Sequence, residues 1–388
     1  GDISADAPIG VERAMYRNRP GEPFSLGTDS MGVTAPATSW FLAEGATGWF
    51  FDLDIVVANP NQVEAPAKIT FLRQDGASFV VTPSNMPADW ELPEFDLMSD
   101  GTAVRANSRM TIRGNALPGL DGGAPGTTSM SAIVESTTGA PLVVERTMFW
   151  NRTGHYGGHS ATAVERPDTT WYFAEGSQGF FDTYLMLANA NALPANVTIT
   201  FLREWEDPVV CTRVVPARSR GTVYALDPDL ATALVGRGFG ITVESDQPII
   251  AERGMYFGAT PFWNGGHESA GVTAPSTNWF LAEGAGGSYF DTYITVSNPN
   301  DVTATVDFTY QLPTGETVRR IHTIPPQRRM NQLIEIEDDP LNPSEPKIAD
   351  AAEVSTTIAS DVPIFVERSM YWQGDWTQWK EAHDSFGL

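Results

Sequence analysis

The sequence predicts an all-β chain: three tandem immunoglobulin-like β-sandwich modules plus an N-terminal partial repeat. Three observations carry that prediction. One phrase is written three times, "WFLAEGATGWFFDLDIVVANPN" at 40–61, "WYFAEGSQGFFDTYLMLANAN" at 171–191 and "WFLAEGAGGSYFDTYITVSNPN" at 279–300. The runs inside and between the copies, such as "DTYITV", "NVTITFL", "GTVYAL" and "FGITVES", are short, β-branched and aromatic, with turn residues between them. The opening tryptophans, Trp40, Trp171 and Trp279, stand 131 and 108 residues apart. That period is too long for a propeller blade or a solenoid coil and suits one sandwich domain.

Each copy continues in the same order. A second strand-like run ("AKITFLRQDG", "NVTITFLREWE", "TVDFTYQLPTG") leads to a basic patch ("NSRMTI", "RSRGTV", "QRRMNQL"). A closing phrase follows, "PLVVERTMFW" (141–150), "PIIAERGMYF" (248–257) or "PIFVERSMYW" (363–372), and then a Gly-rich loop; "PIGVERAMYR" (8–17) stands alone in front. The expected division is 1–36, a partial repeat of one extra strand and a linker, then modules at 37–166, 167–274 and 275–388. The modules are expected in a row. The longer first module carries a Pro- and Asp-rich insertion near 83–103. Helix signals are confined to "DPDLATALVG" (227–236), which reads as a short helix or helical turn.

Composition narrows the function. Twenty-four basic residues against 48 acidic ones give a net charge of −24, which repels nucleic acid and anionic membrane surfaces, so neither is an expected partner. The single cysteine, Cys211, permits no intrachain disulfide and reads as a packed strand thiol. No apolar run is long enough to span a membrane, and insertion into one is not expected.

The order W-[FY]-[FL]-A-E-G, F-D-T-Y, N-P-N, E-R-x-M-[YF], G-G-H resembles a tandem repeat domain of unknown function from bacterial, notably actinobacterial, secreted and cell-surface proteins. The resemblance covers nearly the whole chain and implies an extracellular or cell-surface location, with a signal peptide removed; it brings no catalytic residue. Two departures stand out: "ANA" precedes Asn191 where the other copies read NPN, and Thr28 replaces the GGH histidine.

Glu44, Glu175 and Glu283, followed by Asp52, Asp182 and Asp291, have the residue types of a glycosidase acid pair. Their presence in every copy argues for structure instead. Alternation puts Trp279, Leu281 and Glu283 on one strand face and Ile364, Val366, Arg368, Met370 and Trp372 on another, so we expect ion pairs at the core edges. Two registers are open. Glu44 meets Arg146, Glu175 meets Arg253 and Glu283 meets Arg368, which is favoured; or Glu44 meets Arg13, Glu175 meets Arg146 and Glu283 meets Arg253.

His159, His267 and His383 occupy equivalent positions, one per loop and with no cysteine partner, and are read as loop histidines bonded to backbone rather than as metal ligands. The acidic stretch "EIEDDP" (335–340) lacks a calcium-loop pattern. With no nucleophile elbow, phosphate loop or zinc-protease motif, no catalytic residue, cofactor or metal is expected, and the chain is not expected to be an enzyme. The abundant aromatic residues fit junctions between modules, a protein interface or a glycan.

Two function classes result. One is a non-catalytic extracellular array that spaces or polymerises head-to-tail with itself at a bacterial surface. The other is an array of carbohydrate-binding modules anchoring an enzyme or cell to cell-wall or other glycan. Four E-R-x-M phrases against three A-E-G phrases leave one strand over. It docks on a neighbouring module, marks the chain as a piece of a longer array, or makes a contact between subunits. The candidate contact residues are Ile9, Val11, Arg13, Met15, Tyr16, Trp372, Trp376 and Trp379.

Overall fold

Period-two burial is plain in the strands the sequence predicts. In Asp52–Asn59 the residues Leu53, Ile55 and Val57 point inward and alternate with half-buried neighbours. The computed structural model describes residues 2–19, 22–81, 95–98, 101–117, 119–120, 127–152, 155–258, 263–287, 289–334, 353–372 and 379–388. Among them the chain is almost wholly β. The four-residue helix Ala231–Leu234 falls in the one segment with a helical signal.

Every named strand pair is antiparallel, and each repeat contributes two packed sheets. In the second repeat one sheet orders Val209–Val215, Ala195–Arg203, the first half of Arg237–Phe257 and Asp168–Phe173. The other orders Ser219–Tyr224, Phe181–Asn189, the second half of Arg237–Phe257 and Gly265–Ala270. One 21-residue strand therefore serves both sheets, and Ser355–Trp372 does the same in the third repeat. In the first repeat Gly139, at φ +79°, interrupts this path, leaving separate strands Thr127–Ser136 and Val143–Arg152.

The repeated phrases explain themselves locally. Each opening tryptophan is buried, and its indole N–H donates to a carbonyl just after the proline of the closing phrase: Trp40 to Leu142 at 2.8 Å, Trp171 to Ile249 at 3.0 Å and Trp279 to Ile364 at 3.1 Å. The first Asn of N-P-N is a buried clamp rather than a simple bend. The Asn59 amide reaches the carbonyls of Val63, Val104 and Arg105, and Asn189 and Asn298 repeat the pattern. Pro60 is absent from the second copy, yet the clamp persists there, because the asparagine does the bonding.

Three buried clusters follow the three repeats, around Trp40, Phe71 and Ile112, around Phe173, Ile199 and Ile241, and around Trp279, Phe308 and Ile358. The segments read from sequence as Gly-rich loops are strands: His155–Thr162, Gly265–Ala270 and Glu381–Phe386. In the first two, glycine permits this because the chains approach closely. A Cβ on Gly157 would stand 2.2 Å from the Trp150 ring and one on Gly265 2.4 Å from the Lys380 carbonyl.

The N-terminal partial repeat likewise forms a hairpin, Glu12–Arg19 with Glu22–Met31, where an extra strand and a linker were expected. Four equivalent hairpins result. Their second strands pack in a cycle, Glu22–Met31 on His155–Thr162, then Gly265–Ala270, then Glu381–Phe386, and back to Glu22–Met31. The repeats are therefore gathered about a closed four-hairpin hub rather than strung in a row.

Candidate functional site: the junctions between repeats

In a strand, consecutive side chains face opposite ways. The Glu and Arg of each closing phrase obey this, and both faces are covered. Arg146, Arg253 and Arg368 are fully buried, as are Glu252 and Glu367. Each Glu reaches back to the previous repeat and each Arg reaches forward to the next.

Between the second and third repeats, Arg253 lies 3.9 Å from Glu175 of its own repeat and donates to the Glu175 carbonyl at 2.7 Å. Its closer carboxylates come from the third repeat, Glu367 at 2.7 Å and Asp384. Between the first and second repeats, Arg146 is 3.5 Å from Glu44, 2.6 Å from Glu252, and bonded to Glu268. Between the third repeat and the N-terminal hairpin, Arg368 is 3.5 Å from Glu283, 2.6 Å from Glu12, and bonded to Asp29. The structure thus brings together all three Glu–Arg pairs of the favoured register. The setting expected for them needs correction: they lie at the junctions between repeats, not at core edges, and the tightest partners are acids from the next repeat.

The histidines also need correction. His159, His267 and His383 are buried on strands, and their Nε2 atoms meet tyrosine hydroxyls of the next closing phrase: Tyr256 at 3.2 Å, Tyr371 at 3.0 Å and Tyr16 at 2.9 Å. Those hydroxyls donate in turn to the A-E-G glutamates, Tyr256 to Glu44 at 2.5 Å, Tyr371 to Glu175 at 2.7 Å and Tyr16 to Glu283 at 3.4 Å. Sequence reasoning weighed the Arg of E-R, passed over its Glu, and considered the Tyr three residues after the Arg only as Tyr16, for a contact between subunits. The recurrence of E-R-x-M-[YF] was the available signal.

Each junction holds a histidine and two carboxylates whose donor atoms lie within 4.8 Å of one another: Glu44, His159 and Glu268; Glu175, His267 and Asp384; Glu283, His383 and Asp29. These are the residues that could approach a metal. The imidazole of His267 turns Nδ1 to Asp384 at 3.0 Å and Nε2 toward Glu175 at 3.8 Å. Nδ1 faces one acid while Nε2 meets the Tyr371 hydroxyl at 3.0 Å, so the two ring nitrogens turn to different partners, whereas a metal needs its donors to converge on one point. Arg253 already stands among the same acids.

Protonation differs between junctions. Burial alone would lower the pKa of His267, but Asp384 and Glu175 hold it above the ordinary histidine value, and Asp384 is held well below the carboxylate range by His267 and Arg253 despite its burial. Burial and the neighbouring Arg146 push His159 well below the ordinary value, while burial pushes Glu268 well above it.

Tyr16 and Trp372, candidates for a contact between subunits, pack edge-on against each other within the chain at 5.6 Å. Trp379 stacks on Tyr371 at 4.3 Å and the Val11 carbonyl accepts from Gly32. Ile9 and Met15 remain exposed. Arg13 pairs with Glu145 at 3.0 Å. Trp376 and the stretch 335–340 lie outside the described residues. Cys211 is buried in Val209–Val215. The rings Phe50, Phe51, Trp150, Phe181 and Phe257 are buried, and each packs against rings of the adjoining repeat.

No known protein family matches the chain, and no curated protein matches it. Among solved structures, Thermotoga maritima 1070 is 18% identical over 29% of this chain and 94% of its own, at a TM-score of 0.25. The Anabaena sensory rhodopsin transducer is 26% identical over 24% of this chain and 93% of its own, at 0.20. A tetra-tandem repeat in the extending region of a large adhesion protein is 12% identical over 93% of this chain and 76% of its own, at 0.15. Likenesses at these TM-scores carry no functional weight.

Proposed function

We propose that the chain is a non-catalytic structural and interaction protein of a bacterial surface, able to join copies of itself head-to-tail. The observation that carries this reading is where the thrice-written phrases go. Their Trp, Asn, Glu, Arg, Tyr and His side chains are buried in cores and junctions, where they hold repeats together. Repetition then supplies identical joints rather than chemistry. The aromatic residues favour the same reading over a glycan-binding array, because the rings at the junctions are buried rather than set out in exposed rows.

Joining would use the N-terminal hairpin. It fills the fourth hub position against Arg368, a contact that a hairpin from another copy would make equally well, so exchange between chains gives a head-to-tail link that need not close. A chain beginning at Val33 tests this. Added peptide 1–32 should bind it and raise its thermal midpoint, and concentrated refolding of the full chain should give multimers visible in electron micrographs. A Val33 chain that ignores the peptide and is as stable as the full chain would contradict the proposal.

A further inference from the structure

The buried arginines at the junctions are of two kinds. Arg146, Arg253 and Arg368 each face three carboxylates. Like its counterpart Arg329, which donates to the Gly176 carbonyl at 3.0 Å, Arg220 has none within ion-pair distance among the described residues. Its hydrogen bonds run from Nη1 to two main-chain carbonyls, Gly45 at 3.0 Å and Met130 at 3.5 Å, and its Nε has no partner. A guanidinium withdrawn from water without an anion is costly, and burial holds its pKa below the usual arginine value.

Arg220 lines a cavity of about 560 Å³ between the first and second repeats, a volume suited to a small organic ligand. Its walls are aromatic, with Trp49, Phe50, Tyr184, Tyr256 and Trp263. Of these, Trp49 is 37% exposed. The ring packing differs from the next junction. There Trp379 stacks on Tyr371 at 4.3 Å and 19°, whereas Trp263 stands 5.0 Å from Tyr256 and tilts by 37°. Glu44 also borders the cavity, but its carboxylate is engaged by the Tyr256 hydroxyl and Arg146.

We propose that this cavity binds a small carboxylate carried on a six-membered ring, the carboxylate on Arg220 and the ring face against the aromatic walls. The site is independent of the assembly role. Aromatic acids and uronic acids share this chemistry, because aromatic side chains stack on either kind of ring.

Titration of the full chain, followed by tryptophan fluorescence, separates the sources. Phenylacetate and galacturonate are the probes, with benzyl alcohol and galactose as neutral counterparts. Saturable quenching by at least one acid at millimolar concentration, and not by its neutral counterpart, is expected; which acid binds identifies the source. Arg220→Gln should weaken binding about tenfold or more, as loss of a charged hydrogen bond does. Because Arg220 also clamps Gly45, Trp49→Ala in the partly exposed wall serves as a second variant and should weaken binding severalfold. No saturable response to either acid, equal response to the neutral compounds, or unchanged affinity in the folded variants would overturn the proposal.

Discussion

The junction between the second and third repeats and the seam between the N-terminal hairpin and the first repeat are written with the same E-R phrase. At the junction, Arg253 is fully buried among Glu175, Glu367 and Asp384, with His267 and Tyr371 completing the network. At the seam, Arg13 meets Glu145 at 3.0 Å and Ser30 at 2.9 Å, with 43% of its side chain in solvent. The differences lie in the flanking phrases. Thr28 stands where a histidine would, and Phe149 replaces the tyrosine. A dipeptide is a sealed joint only where its neighbours supply the carboxylate, the hydroxyl and the imidazole that exclude water.

The largest expected effect sharpens this contrast. Arg253→Met leaves three buried carboxylates without their cation and should cost about 3–5 kcal/mol. Arg13→Met removes a solvated pair and should cost about 1 kcal/mol or less. Urea midpoints of the two variants measure the difference, and equal losses would erase the distinction.

The next effect depends on pH. Burial pushes the Glu367 carboxyl up to about 7, with Asp384 and Glu175 adding to the rise and Arg253 opposing it, against 4.5 for a free glutamate. The folded chain holds this proton more tightly than the unfolded chain. The stabilisation is therefore complete below about 4.5 and is lost as pH rises through about 7. His267, held above its ordinary value, acts in the same direction; Asp384, held low, acts at the acid end, where stability falls as it takes up a proton. Glu367→Gln should flatten the fall in thermal midpoint between about pH 5 and 8. A fall of unchanged slope would move its origin elsewhere.

A smaller effect compares the two complete junctions inside the chain. Glu268 reaches Arg146, while the shorter Asp384 also stands 3.0 Å from His267 Nδ1. Asp384→Glu should bring the His267 titration down toward the behaviour of His159, read by NMR. An unmoved titration would show that the extra methylene is not what places the proton.

Strand positions were legible because alternation, β-branching and turn residues act within a few residues. The pairing of Glu44 with Arg146 was legible too, because each sits on a strand face otherwise apolar. The hub was not. His159 and His267 lie in glycine-rich segments and His383 in "EAHDSF", none with a strand pattern, and in the first two glycine lets Trp150, Phe257 and Lys380 approach. The role of Glu252 and Glu367 was hidden for another reason. Alternation says that they face away from Arg253 and Arg368, and only the neighbouring repeat shows that this second face is buried too.

The central claim is that the chain closes on itself through Glu12 and Arg368, which lie 2.6 Å apart and 356 residues apart in sequence. A double-mutant cycle of Glu12→Gln and Arg368→Gln, measured by urea unfolding of the dilute monomer, tests it most directly. Closure predicts a coupling of about 1 kcal/mol or more, independent of protein concentration. Losses that simply add, within about 0.3–0.5 kcal/mol, would contradict it.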